Sequence, residues 1–188
     1  MPLPLRSFAL IWMLMLAACG APESELPVNT RLGGDFTLID QDGAPWRLAD
    51  AQGQVVLLFF GYTHCPDICP ATLARVGQVQ RQLREQGGAA GVQPVFITFD
   101  PQRDTPEYLK AYLPWFKADI IGLTGDSAAI HAVAERYGVV FLKNESASGY
   151  DFSHSDFVYL LDQQGRVRKL YPADFNIDEV VNDVQTLL

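Results

Sequence analysis

Apolar residues return along this chain with different periods, and each period predicts an element. Val55 to Phe60 is an unbroken apolar run, the pattern of a strand buried on both faces, and Val95 to Phe99 repeats it. Between them Leu73, Val76, Val79 and Leu83 recur three or four apart, which predicts a helix that Gly87 and Gly88 stop. A second helix is marked by its start: Thr105 as cap, Pro106 at the first helical position, Glu107 in the first turn. Ile120 to Leu123 is short and apolar, a strand or a turn. Ile130, Val133 and Tyr137 share one face of a third helix, opened by Asp126 or Ser127 and closed by Gly138. Phe157 to Leu161 and Arg166 to Tyr171 flank Asp162-Gln163-Gln164-Gly165 and predict an antiparallel hairpin. Ile177, Val180, Val184 and Leu187 predict a final helix. Upstream, Asp35 to Asp40 reads as a strand, followed by a turn at Asp42-Gly43.

Strands and helices alternate first, and a hairpin and a helix close the chain. That order predicts an α/β class with a thioredoxin-like fold, a mixed central sheet flanked by helices. No internal repeat or low-complexity tract interrupts it. The 188 residues, 48% of them hydrophobic, suit one domain that buries its own core.

The first residues break the pattern. Arg6 is followed by an apolar run from Phe8 to Ala18, 11 residues long, and then by Cys19. About 20 apolar residues are needed to span a bilayer, so the run reads as an export signal rather than an anchor. Leu16-Ala17-Ala18-Cys19 resembles a bacterial lipobox, which would make Cys19 the lipid-bearing first residue of the mature chain, with a signal cut elsewhere or a buried structural Cys19 as the plain alternatives. The expected organisation is a lipoprotein signal over 1–18, a lipidated tether over 19–34 and the folded domain over 35–188. The tether is assigned because it is rich in Pro, Glu and small residues and lacks apolar periodicity. The expected location is exported, lipid-anchored to a bacterial membrane, with the domain facing the periplasm. Formal charge is -8, and removing 1–18 takes away only Arg6, leaving 13 basic against 22 acidic side chains, or -9. An acidic surface repels nucleic acid, so no nucleic-acid partner is expected.

Three cysteines are too few for a disulfide scaffold. Cys65 and Cys69 lie in GYTHCPDICPATL, directly after a buried strand and at the mouth of the first helix, with Pro66 suited to its first turn. Strand ends of this kind collect ligands, and a helix N-terminus favours thiolate over thiol. Four residues apart, the pair can ligate a metal jointly or form a redox disulfide. Two buried structural cysteines are the plain alternative. His154, in YDFSHSDFVYLLD, precedes the next strand, and in a thioredoxin-like fold that segment faces the first helix's N-terminus. Two sulfurs and one imidazole suit copper(I) better than zinc, which takes a fourth ligand, although a solvent-exposed loop histidine is the simpler local reading. His64 adjoins Cys65, but sequence neighbours point apart. His131 reads as a surface residue, and Asp100 and Asp104 as turn and helix-start residues.

With these residues in hand, the chain resembles the SCO/SenC family of copper chaperones for cytochrome c oxidase assembly. FTLIDQDG, FFGYTHCPDICPATL, FDPQRDTPEYLKAY, IGLTGDSAAIHAVAERYGV and SHSDFVYLLD match family segments in order across nearly the whole mature domain. The resemblance implies copper ligation by Cys65, Cys69 and His154 and delivery to the dinuclear copper centre of cytochrome c oxidase subunit II. Copper(I) is the expected cargo, with copper(II) as the other state. The protein would be a metallochaperone and not an enzyme, with no catalytic residue, and a second exported copper carrier or a thiol reductant would be a further partner. Some family members instead reduce the cysteines of that subunit, so an exported thiol-disulfide oxidoreductase is the second reading, and a thiol peroxidase the third. Ser153 departs from the family, which often carries an aspartate before the histidine, and this bears on how His154 is oriented.

Overall fold

A computed structural model describes residues 26–88, 91–147 and 149–188. The expected signal, the lipobox and Cys19 lie outside them. Among the described residues nine strands and four α-helices follow in order: β1 (Thr37–Asp40), β2 (Pro45–Arg47), β3 (Val55–Gly61), α1 (Ile68–Glu85), β4 (Val92–Thr98), α2 (Pro106–Tyr112), β5 (Ile121–Thr124), α3 (Ser127–Arg136), β6 (Phe141–Ser146), β7 (Gly149–His154), β8 (Val158–Leu161), β9 (Val167–Tyr171) and α4 (Ile177–Leu187). Seven strands form the main sheet in the order β2-β1-β5-β4-β3-β8-β9, while β6 and β7 pair only with each other. The three central strands β3, β4 and β5 are parallel, and antiparallel β8 and β1 border them. This is the expected thioredoxin-like α/β arrangement.

Residue parity along β3 explains the layering. Side chains alternate faces, so Phe59 and Gly61 point one way and Phe60 the other. A Cβ on Gly61 would meet Cys69 of α1, whereas the Phe60 ring lies 5.8 Å from that of Tyr137, just past α3. Helices therefore cover both faces, and all seven residues of β3 are buried, which is why the strand is apolar at every position. The helix boundaries follow their caps. Thr105 accepts from Tyr108 N–H at the start of α2, Asp126 from Ala129 N–H at α3, and Asn176 from Asp178 and Glu179 N–H at α4. Gly138 ends α3 with φ +67°, the left-handed conformation glycine adopts without strain.

Residues 26–34 do not stand off the domain as the tether reading expected. Asn29 N–H donates to Val167 O at 2.7 Å, Gly33 N–H to Arg136 O at 3.0 Å, and Leu32 packs where Gly138 leaves room. The segment has no periodicity because it is extended and held by backbone bonds. Two further elements carry weak sequence signals. β2 is a three-residue edge strand beginning with proline, tolerated there because an edge N–H has no ladder partner. β6 is exposed along nearly its whole length, so its sequence FLKNES has no apolar alternation to reveal it.

Candidate metal centre

The loop after β3 sets the geometry. Sequence spacing placed Pro66 in the first helical turn, but the structure starts α1 at Ile68, with Asp67 at the cap position making no side-chain bond. Cys65 is therefore not on the helix. Its sulfur does the capping instead, accepting the Cys69 N–H at 3.5 Å, one of the first-turn donors that no helical carbonyl can satisfy. The Cys65 thiol is brought down from the ordinary 9.0 to about 5, mainly by a hydrogen bond from the Cys69 thiol, with Asp67 and Cys69 backbone N–H groups helping against burial. Cys69, fully buried, is driven the opposite way by Cys65 and by desolvation. The pair is thus prepared as one thiolate hydrogen-bonded by one thiol, and both cysteines are free.

His154 ends β7. Its Nε2 lies 3.5 Å from Cys69 Sγ, and its Nδ1 is 2.8 Å from the Ser155 carbonyl oxygen. A carbonyl only accepts, so Nδ1 carries the proton and Nε2 turns its lone pair to the sulfurs. That contact supplies the orientation which the departure at Ser153 left open: Ser153 points elsewhere, its hydroxyl oxygen accepting from Asn144 Nδ2 at 2.8 Å. The Phe99 and Tyr62 rings, at 4.9 and 6.0 Å, wall the imidazole.

The candidate donor atoms of Cys65, Cys69 and His154 all lie within 4.8 Å of one another. An ion centred in a triangle with sides of 3.5 to 4.8 Å sits roughly 2.0–2.8 Å from each corner, a range that contains zinc–nitrogen and zinc–sulfur bond lengths of about 2.0–2.3 Å. Two sulfurs and one imidazole form a soft donor set of the kind that suits copper(I).

Residues 24–188 match the sequence pattern of the SCO1/SenC family. The chain belongs to that family. Among SCO relatives, the SCO2-like protein of Rickettsia felis is 37% identical over 156 residues, covering 81% of this chain and 75% of its own. The solved structure of Bradyrhizobium japonicum ScoI with copper bound is 36% identical, with a TM-score of 0.77, over 84% of this chain and 99% of that one. BsSco, described as a Sco-family cytochrome c oxidase assembly protein with a disulfide switch, is 25% identical, with a TM-score of 0.70, over 85% of this chain and 96% of its own.

In this SCO fold the remaining candidates fall outside the triangle. His64 Nδ1 is 3.0 Å from Thr63 Oγ1, and its ring stacks on Tyr108 at 5.4 Å, away from Cys65. His131 is exposed and stacks on Phe141 at 4.5 Å. Asp100 and Asp104 are more than the turn and helix-start residues their sequence suggests, because they are 2% and 0% exposed. Only the run of polar residues between a buried strand and a capped helix could have signalled that. The site opens on a cleft of about 710 Å³ whose lining includes Asp67, Asp151 and Asp156. No helix among the described residues is long and apolar enough to cross a membrane.

Proposed function

We propose that this protein is an exported copper chaperone, held to a bacterial membrane by lipid on Cys19, that carries copper(I) on Cys65, Cys69 and His154. Its recipient in this reading is the dinuclear copper centre of cytochrome c oxidase subunit II. The observation that carries the proposal is the convergence of three soft or borderline donor atoms, from a loop, a helix and a hairpin, within 4.8 Å. A structural cysteine pair has no need of an imidazole aimed at it. The acidic thiol gives a cation a ready anionic ligand, and proton release from Cys69 would accompany loading. Copper bound to a relative and the oxidase-assembly role of another support the assignment of cargo and pathway.

The same thiol pair supports the second reading, an exported dithiol that keeps the subunit's cysteines reduced. Attack by the Cys65 thiolate on a target disulfide would form a mixed disulfide, and Cys69, losing its proton, would resolve it. The products are a reduced target and a Cys65–Cys69 disulfide, which an exported thiol reductant must then reduce. His154→Ala separates the readings. It removes one ligand and leaves the dithiol in place, so copper(I) affinity should fall at least 10-fold while disulfide exchange changes less than severalfold. A His154→Ala chain that restores oxidase activity in a deletion strain at limiting copper would replace the carrier reading by the reductant.

A further inference from the structure

One segment, running from Thr98 at the end of β4 to Asp104 before α2, touches both halves of the site. Toward the thiols, the fully buried Asp104 accepts from Thr63 N–H at 2.9 Å and from Thr98 Oγ1 at 2.5 Å, and the Thr63 hydroxyl also donates to it. A buried carboxylate stripped of such donors is strongly unfavourable, so wherever Asp104 is held, Thr63 is held, two residues from Cys65.

Toward the hairpin, Asp100 Oδ1 accepts the Tyr150 hydroxyl at 2.9 Å. Arg103 pairs with Asp100, donates from Nη1 to the Tyr150 carbonyl at 3.2 Å, and stacks its guanidinium carbon 3.8 Å from the Tyr150 ring centre. Tyr150 lies on β7, the strand that ends in His154. The segment is itself stiff: Asp104 N–H donates to Asp100 O at 2.9 Å, Asp100 N–H to Thr98 Oγ1 at 2.9 Å, and Phe99 N–H to Gly61 O at 3.0 Å. A two-stranded hairpin has little stability of its own, so what pins it decides where its last residue sits.

We propose that Asp104, Asp100 and Arg103 are positioning residues that fix the dithiol relative to the His154 imidazole, Asp104 through Thr63 and the Asp100–Arg103 pair through Tyr150. The proposal rests on the reading of Cys65, Cys69 and His154 as copper ligands. Its two arms are separable, because one grips the thiol loop and the other the imidazole hairpin.

The test uses the full chain with Arg103→Lys, Tyr150→Phe, Thr63→Val, Thr63→Ser and His154→Ala. Three quantities are read: copper(I) affinity by chelator competition, alkylation rate of the reduced metal-free thiols, and amide hydrogen exchange of the metal-free chain. Lysine keeps a charge beside Asp100 but loses the planar fork and the stack. Arg103→Lys should therefore weaken copper about 10-fold, as loss of an orienting contact does, and speed exchange over residues 149–154, with alkylation unchanged within about twofold. Tyr150→Phe should shift both in the same direction by less. Thr63→Val should change Cys65 alkylation severalfold while hairpin exchange stays as in the parent, and Thr63→Ser should restore the parent rate. Parent-like affinity and exchange in both Arg103→Lys and Tyr150→Phe would overturn the proposal, as would alkylation that changes in step with affinity in Arg103→Lys. If His154→Ala leaves copper affinity intact, the ligand assignment fails, and exchange alone still decides whether these residues pin the hairpin.

Discussion

Replacing Gly61 by alanine adds one methyl group at the end of β3, and the backbone fixes where it falls. The new Cβ lies 2.9 Å from Cys69 Sγ and 3.0 Å from ring carbons of Phe59 and Phe96. Carbon contacts settle at about 3.5–4.0 Å, so the methyl is short of space by roughly 0.5–1 Å. The closest approach is to Cys69 Sγ, on the first turn of α1, and sulfur is larger than carbon, so the overlap is deepest there and the sulfur is displaced most. Overpacking of this kind costs about 1–3 kcal/mol, and in a chain of this size each kcal/mol lowers Tm by about 2–4 °C, so a fall of about 2–12 °C is expected in the reduced, metal-free protein. A displaced sulfur also breaks the 3.5 Å approach to His154 Nε2, and copper(I) affinity measured by chelator competition should fall about 10-fold or more. Gly77→Ala is the control. Its Cβ would meet the Phe116 carbonyl oxygen at 2.5 Å, farther along α1, so it should lower Tm comparably and leave copper affinity unchanged once the protein is folded. Parent-like affinity in Gly61→Ala, or an equal loss in Gly77→Ala, would refute the reasoning.

The thiol pair makes stability depend on pH with a definite sign. Cys65 titrates at about 5 when folded instead of 9.0, so its anion contributes stability that is complete above 9.0 and is lost as pH falls toward 5. Cys69 is shifted upward, so its contribution is complete below 9.0 and is lost in stronger base. The Tm difference between the reduced protein and Cys65→Ser should accordingly widen from pH 5 to pH 9, and a flat difference would contradict the assignment. Mass spectrometry after brief alkylation near neutral pH should find the label on Cys65 and not on Cys69. Cys19→Ser should release the domain from washed membranes with copper binding intact; retention in the membrane fraction would refute lipidation. Trapping the Cys65–Cys69 disulfide should abolish copper loading, and equal loading by the trapped and reduced proteins would remove the thiols from the site.

Where burial and periodicity coincide, the structure follows the pattern closely. β3, α1, α2 with its Thr105–Pro106 start, and the β8–β9 hairpin all lie within a few residues of where their apolar spacing puts them. The three candidate ligands were legible for a related reason: Cys65 and Cys69 stand at a strand-to-helix junction, and the fold returns His154 to it. What escaped was held by contacts that local apolar periodicity does not reveal. The β6–β7 hairpin is exposed, with Phe141 and Phe152 fastening it to Phe99. Residues 26–34 are bound by backbone hydrogen bonds, which any sequence can make. Asp104 looks like a helix-start residue, and its burial depends on Thr63, 41 positions earlier, whose donation no local pattern reveals.

Because β6 and β7 pair only with each other, the two sulfurs and the imidazole belong to different parts of the molecule. The thiols sit on the loop that joins β3 to α1 and on the first turn of α1, packed against the core, where each change is felt by the whole fold. The imidazole rides on an appendage that shares no ladder with the main sheet. If the three side chains hold copper as proposed, a lineage could lengthen, shorten or recharge that appendage, and so retune how tightly and how long the metal is kept, with little change to the scaffold beneath.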